Sequence, residues 1–167
     1  MSFTIRPLTP RDLNAYNRIN AAAFEVGLSP YLWPNGRTDA DRQFAMQGVL
    51  QDLREKPTIK YMVVVDTSTT PPAEDLTGLS NADRMTAEEE GRVAGISIWR
   101  FQDQPQTEEE LDAEEVKAND PSAVPPTGNR EMWVALLAAL AKAQRDIGGI
   151  PYARLKVLAV NPAYQRR

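Results

Sequence analysis

The chain has 167 residues, one domain's worth, with 42% apolar residues and a formal net charge of −4. It contains no cysteine and no histidine, which excludes disulfides, thiolate metal sites and imidazole as base or ligand, so we expect no metal. No stretch is apolar enough to span a bilayer, and Met1–Arg6 has no signal-like run, so the expectation is a cytoplasmic protein, with the nucleus as the alternative, and no membrane partner.

Phe3-Thr4-Ile5-Arg6 alternates as a half-buried strand does. Thr9-Pro10-Arg11-Asp12 opens a helix: Thr9 can cap, Pro10 suits the first helical position, and Asp12 stands where a capping-box acid would. Leu13, Tyr16, Ala23 and Phe24 follow at helical spacing. Residues 26–37 form a turn-rich loop with two aromatics, Tyr31 and Trp33. Thr38 and Asp41 repeat the capping arrangement, and a second helix runs to about Lys56 with Met46, Val49, Leu50 and Leu53 on one face, stopped by Pro57.

Ile59 to Val65 reads as a buried strand. Residues 66–90 hold seven acids and one base and read as a solvated, flexible insert. Arg92 to Phe101 is the next strand, in which Gly95 marks a bulge or a close backbone approach. Residues 102–129 hold eight acids and one base, a second flexible insert in which Glu108 to Lys117 can form an exposed helix. The rest of the chain keeps eight acids against seventeen bases. Such a basic body suits a polyanionic ligand, and it equally suits an ordinary charged surface. Neither insert carries an apolar periodicity, so deletion of 68–89 and 104–127 is expected to leave the fold intact.

Asn129 caps the strongest helix, 130–147, with Trp133, Leu136, Leu137, Leu140, Ala143 and Ile147 as its stripe; Gly148-Gly149 ends it. Tyr152 to Val160 is the last strand. Consecutive strands beside segregated helices indicate an α+β fold.

The tail, Leu155-Lys156-Val157-Leu158-Ala159-Val160-Asn161-Pro162-Ala163-Tyr164-Gln165-Arg166-Arg167, resembles the acetyl-CoA motif of GNAT-superfamily N-acetyltransferases. In that family a buried strand ends in an apolar-x-Val segment and a turn with proline and an aromatic follows. A Gln/Arg-x-x-Gly-x-Gly/Ala loop then opens a helix. Glycines let backbone N–H groups converge on a pyrophosphate, and the helix N-terminus adds a favourable dipole. Gln165, Arg166 and Arg167 fill the first three loop positions, so the sequence reads as the N-terminal portion of a single GNAT domain, interrupted within this loop. The opening Ile5–Asp12 resembles the family's first strand and helix start. The extra helix 130–147 and the acidic inserts resemble fungal members.

The resemblance implies the acyl-CoA N-acyltransferase fold, a mixed, mostly antiparallel sheet flanked by helices. It implies acetyl-CoA as cosubstrate, held by backbone groups of Leu158, Ala159 and Val160 and by Gln165, Arg166 and Arg167, and acetyl transfer to an amine by direct attack on the thioester. Tyr31 and Trp33 are candidate substrate contacts, against the plainer reading that they pack their loop. No catalytic acid or base is identified; Glu25 and Glu131 are titratable candidates near helix ends. With the glycines beyond Arg167, the 167 residues are expected to be inactive alone. The competing reading is a non-catalytic fragment or interaction module, with a second chain, or a second copy, paired through residues 152–160. A nucleic-acid partner is disfavoured because the bases show no clustered or aromatic-interleaved run.

Overall fold

Ile59, Tyr61, Val63 and Val65 alternate with Lys60, Met62 and Val64, so strand β2 (Ile59–Asp66) has one face that must be buried. In the computed structural model, which describes residues 2–165, that face is the centre of the core. β2 lies between β1 (Phe3–Pro7) and β3 (Arg92–Gln102), and β3 also pairs with β4 (Tyr152–Val160). Neighbours are in sequence order and antiparallel throughout. The α+β expectation and all four predicted strands are present.

Helix α1 (Leu13–Ala23) lays Leu13, Tyr16 and Ile19 on this face, and α3 (Asp39–Glu55) adds Val49. Tyr16 and Tyr61 meet edge to face with centroids 6.1 Å apart. Both predicted acidic caps are built. The Thr9 N–H donates to Asp12 at 2.8 Å, and Thr38 and Asp41 form a reciprocal capping box. Between the helices, α2 (Ser29–Leu32) is a single turn.

The opposite pleat of the sheet places Ile5, Val64, Gly95 and Val160 in one row across all four strands. Its two ends are open to solvent, Ile5 being 69% and Val160 41% exposed.

The two acidic segments carry secondary structure of their own. Residues 66–90 contain a 3-10 turn (Ala73–Leu76) and helix α4 (Asn81–Glu90). Residues 102–129 contain α5 (Glu108–Ala118), the exposed helix that was expected, and a 3-10 turn (Pro121–Ala123). What anchors them is charge rather than an apolar stripe. Arg18 on α1 holds Asp75 at 2.8 Å and Glu74 at 3.3 Å, and Asp75 is buried. Glu90 bridges Arg6 and Arg11. Arg100 of β3 pairs with Glu114, and Arg145 takes Glu108, Asp112 and Glu115 at 2.8, 2.5 and 2.6 Å. Leu76 in the first segment, and Leu111 and Pro125 in the second, are the buried apolar pegs. Five of the seventeen bases of the basic body, Arg6, Arg11, Arg18, Arg100 and Arg145, are thus paired with acids of the two segments.

Helix α6 (Arg130–Gly148) is capped by Asn129 as expected. Its stripe is only partly covered: it packs on α5 and α2, burying Gln144 and Gly148 while Leu140 stays exposed. Gln144 donates to Gln106 at 2.6 Å, which ties the start of the second insert to the helix. No described helix is long and apolar enough to cross a membrane.

Candidate functional site

Two irregularities shape the β3–β4 end of the sheet. Val64 stands opposite Gly95 while Val65 stands opposite Val93, so Ala94 is an extra residue in β3. Gly95 follows it, and a Cβ there would lie 3.3 Å from the Ala159 carbonyl oxygen. The bulge and the close approach read from Gly95 are both present. The second irregularity is in β4, where Lys156 is unmatched between Leu155 opposite Trp99 and Val157 opposite Ile98.

The β3 bulge is clasped by the residue that ends β4. Asn161, fully buried, donates its backbone N–H to Ala94 at 2.9 Å and its side-chain Nδ2 to Val93 at 3.0 Å. Its Oδ1 accepts from the Ala163 N–H at 3.1 Å, which shapes the 3-10 turn Pro162–Tyr164. The Tyr164 hydroxyl reaches Asp66 at 3.1 Å and Thr69 at 2.9 Å, and its ring meets Phe3 edge to face. Hydrogen bonds from the Ser68 hydroxyl and N–H, helped by Tyr164, hold the Asp66 carboxyl below its ordinary value.

The Asn161–Ala94 bond also fixes which way the strand's polar groups point. In an antiparallel ladder successive residues turn their N–H and C=O alternately toward and away from the partner. Asn161 turns toward β3, so Ala159 does too, and Val160 and Leu158 turn theirs to the other edge. The Gln165 side chain bears this out by donating to the Val160 carbonyl at 3.0 Å. No described strand pairs on that edge. Of the predicted cofactor residues, Leu158 and Val160 thus present backbone groups outward, and their side chains are exposed, 64% for Leu158. Ala159 is buried in the core. Gln165 sits beside Val160, while Arg166 and Arg167 lie outside the described residues. An open row of amide donors and acceptors beside the Pro162–Tyr164 turn suits an extended ligand with amide bonds of its own.

The predicted substrate contacts separate. Trp33 is buried and meets Trp133 of α6 edge to face at 5.0 Å, so it packs its loop, and it also lines a cavity of about 690 Å³ between α1, the 33–37 loop, the start of α3 and the 74–75 turn. Tyr31 is 63% exposed and is not among the residues lining that cavity. Glu25 lines it; Glu131, exposed on the first turn of α6, does not. Sequence reading missed Asn161 as the clasp, although an Asn-Pro pair after a strand signals a structured turn. It also missed Arg37, whose guanidinium lies 3.9 Å from the Trp33 ring centroid. Nothing in the local pattern marks that arginine, because the burial that sets it apart comes from α1 and α3 as well as from Trp33 of its own loop.

The chain has the fold of an N-acetyltransferase. It superposes on a mosquito arylalkylamine N-acetyltransferase like 5b with a TM-score of 0.51 and 21% identity, over 98% of this chain and 63% of that one. It is also similar to a histone acetyltransferase HPA2 and related acetyltransferase from Corynebacterium glutamicum ATCC 13032, with a TM-score of 0.43 and 11% identity over 99% of this chain and 64% of that one. The chain thus spans less than two thirds of either protein. No family profile and no curated protein matches the sequence.

Proposed function

We propose that this chain forms the N-terminal part of a GNAT-type N-acetyltransferase that moves an acetyl group from acetyl-CoA to an amine. The observation that carries the reading is the outer edge of β4, where Leu158 and Val160 direct their backbone groups away from β3 beside the clasped turn 161–165. Acetyl-CoA would supply the activated acetyl thioester. Leu158 and Val160 would hold its amide-bearing arm along the edge, and an N–H there would stabilise negative charge developing on the thioester oxygen. Ala159 serves by packing its small side chain into the core, which fixes the strand. Gln165, Arg166 and Arg167 are proposed on the phosphate side, as the resemblance implies. The acceptor approaches as a free amine, and a base or an ordered water takes its proton.

Isothermal calorimetry with acetyl-CoA tests the reading, on this chain and on a version extended through the source reading frame. Saturable heat in the extended protein supports it, and its absence at saturating acetyl-CoA removes it. A second reading is favoured by the exposed apolar edge: a non-catalytic interaction module whose β4 pairs with another strand. Association through residues 152–160 in the extended protein, with no saturable acetyl-CoA binding, would select that reading.

A further inference from the structure

We propose that the cavity beside Trp33 binds a small molecule carrying a carboxylate together with an amine, and that Arg37 takes the carboxylate; as a statement about the acceptor, this rests on the acetyl-transfer reading above. The argument begins with the charges that line the cavity. Arg18 is held by Asp75 at 2.8 Å and Arg42 by Asp39 at 2.6 Å. Arg37 makes no ion pair and no hydrogen bond among the described residues. Its guanidinium carbon lies over the Trp33 ring, 3.9 Å from the centroid, and its Nε is buried without a partner. A half-buried cation with no anion bears a desolvation cost that its surroundings do not offset. Burial lowers its pKa from the ordinary arginine value, Tyr16 and Asp41 act the other way, and Arg42 adds to the lowering. It remains a cation at any physiological pH.

A contact with a ring face uses none of the guanidinium N–H groups, so the Arg37 fork keeps its donors, and that planar fork matches a carboxylate bidentately. Glu25 lines the same cavity and also makes no ion pair among the described residues. Met46 and Ala21 supply apolar wall. The volume, about 690 Å³, lies within the usual range for small-molecule sites. A cation with a free fork, a carboxylate without a cation and an apolar wall together describe an amino-acid-like ligand better than a simple amine.

Three probes on one skeleton separate these chemistries: phenylalanine, 3-phenylpropionate, which lacks the amine, and phenethylamine, which lacks the carboxylate. They are titrated into ¹⁵N-labelled protein without acetyl-CoA, with the Trp33 indole N–H signal, assigned through Trp33→Phe, as the reporter. Phenylalanine and 3-phenylpropionate are expected to shift it saturably, with phenethylamine weaker by about tenfold or more. Arg37→Gln should remove that preference and Arg37→Lys restore part of it. Phenethylamine binding as tightly as phenylalanine, or inorganic phosphate displacing phenylalanine at lower concentration than phenylpropionate does, overturns the proposal. The probe comparison uses the unaltered protein, so it stands even if an Arg37 variant folds poorly. Phenylalanine binding without acetylation in an extended protein that binds acetyl-CoA would keep the site and remove its assignment to the acceptor. Absence of acetyl-CoA binding would remove the acetyl-transfer reading and leave the site standing.

Discussion

The Asn161 side chain donates to the Val93 carbonyl at 3.0 Å, and this bond ties the end of β4 to the bulge in β3. Both residues are buried, so neither group has water as an alternative. Asn161→Ala leaves the Val93 carbonyl unsatisfied and also removes the acceptor for the Ala163 N–H. We expect a loss of about 1–3 kcal/mol in urea unfolding. Amide exchange at Ala163 should quicken while the α3 amides keep their protection. Asn161→Asp keeps the acceptor and loses the donor, so it should also destabilise. An unchanged unfolding midpoint for Asn161→Ala would show that the turn does not depend on its clasp.

Much of the frame was legible because its signals are local. Thr38 and Asp41 cap α3 from three residues apart, Asn129 caps α6, and Gly95 lies beside the bulge it suggested. What escaped depends on partners far away in sequence. Asp75 reads as one more acid in an acidic run until Arg18, 57 residues earlier, is placed against it. Trp33 reads as a loop aromatic until Trp133, a hundred residues later, meets it edge to face. The β4 edge was legible in part: the apolar-x-Val ending pointed to the strand, but which of Leu158, Ala159 and Val160 face outward follows only from the register with β3.

The first acidic segment is predicted to depend on Arg18. Asp75 is buried and accepts two hydrogen bonds from that guanidinium, at 2.9 and 2.8 Å. Asp75→Ala should lower stability by about 1–3 kcal/mol, because a half-buried cation loses its main partner and Glu74 remains only at 3.3 Å. Asp112→Ala removes an exposed partner of Arg145, which keeps two others, and should cost less than about 1 kcal/mol. Equal effects of the two substitutions in thermal melts would mean that the segment is not anchored at Asp75.

The acid limb of stability is expected to come largely from Asp41 and Asp12. Burial pushes the Asp41 carboxyl up, but hydrogen bonds from Thr127 and Thr38 outweigh it and leave it well below its ordinary value. At Asp12 burial acts the same way and is outweighed by the Arg6 and Thr9 bonds. A carboxyl depressed in the folded state contributes stability that is present above its unfolded pKa, about 4, and lost as pH falls through the folded value. With no histidine, no side chain with an ordinary pKa titrates between about pH 5 and 8. Melting temperature should therefore be nearly level across that window and fall steeply below about pH 4, and Asp41→Asn should flatten the fall. A steep change near pH 6.5 would require a titrating group that these contacts do not supply.

The last prediction concerns the open edge of β4. Leu155, Leu158 and Val160 are all exposed, and the outward N–H and C=O groups of Leu158 and Val160 lie among them with no described strand beside them. An apolar edge of this kind is a template for another strand, and a charge on it is the usual protection. The chain as given is therefore expected to self-associate through residues 152–160, with a mass in multi-angle light scattering above the 18.6 kDa of one copy. Leu155→Lys with Leu158→Lys should return it to a monomer while moving the melting temperature by only a few degrees, since both side chains are exposed, at 41% and 64%. Leu140→Lys is the control: it charges an equally exposed apolar position on α6, away from the edge, and should leave the mass unchanged. If the lysine at Leu140 dissociates the assembly as well, the association is general stickiness rather than strand pairing. Because the proposed acetyl-CoA site uses the same groups of Leu158 and Val160, association and ligand binding should exclude one another, and acetyl-CoA should shift the assembly toward monomer in proportion to its occupancy. An unaltered chain that runs as a monodisperse 18.6 kDa species at high concentration would show that the edge is already protected.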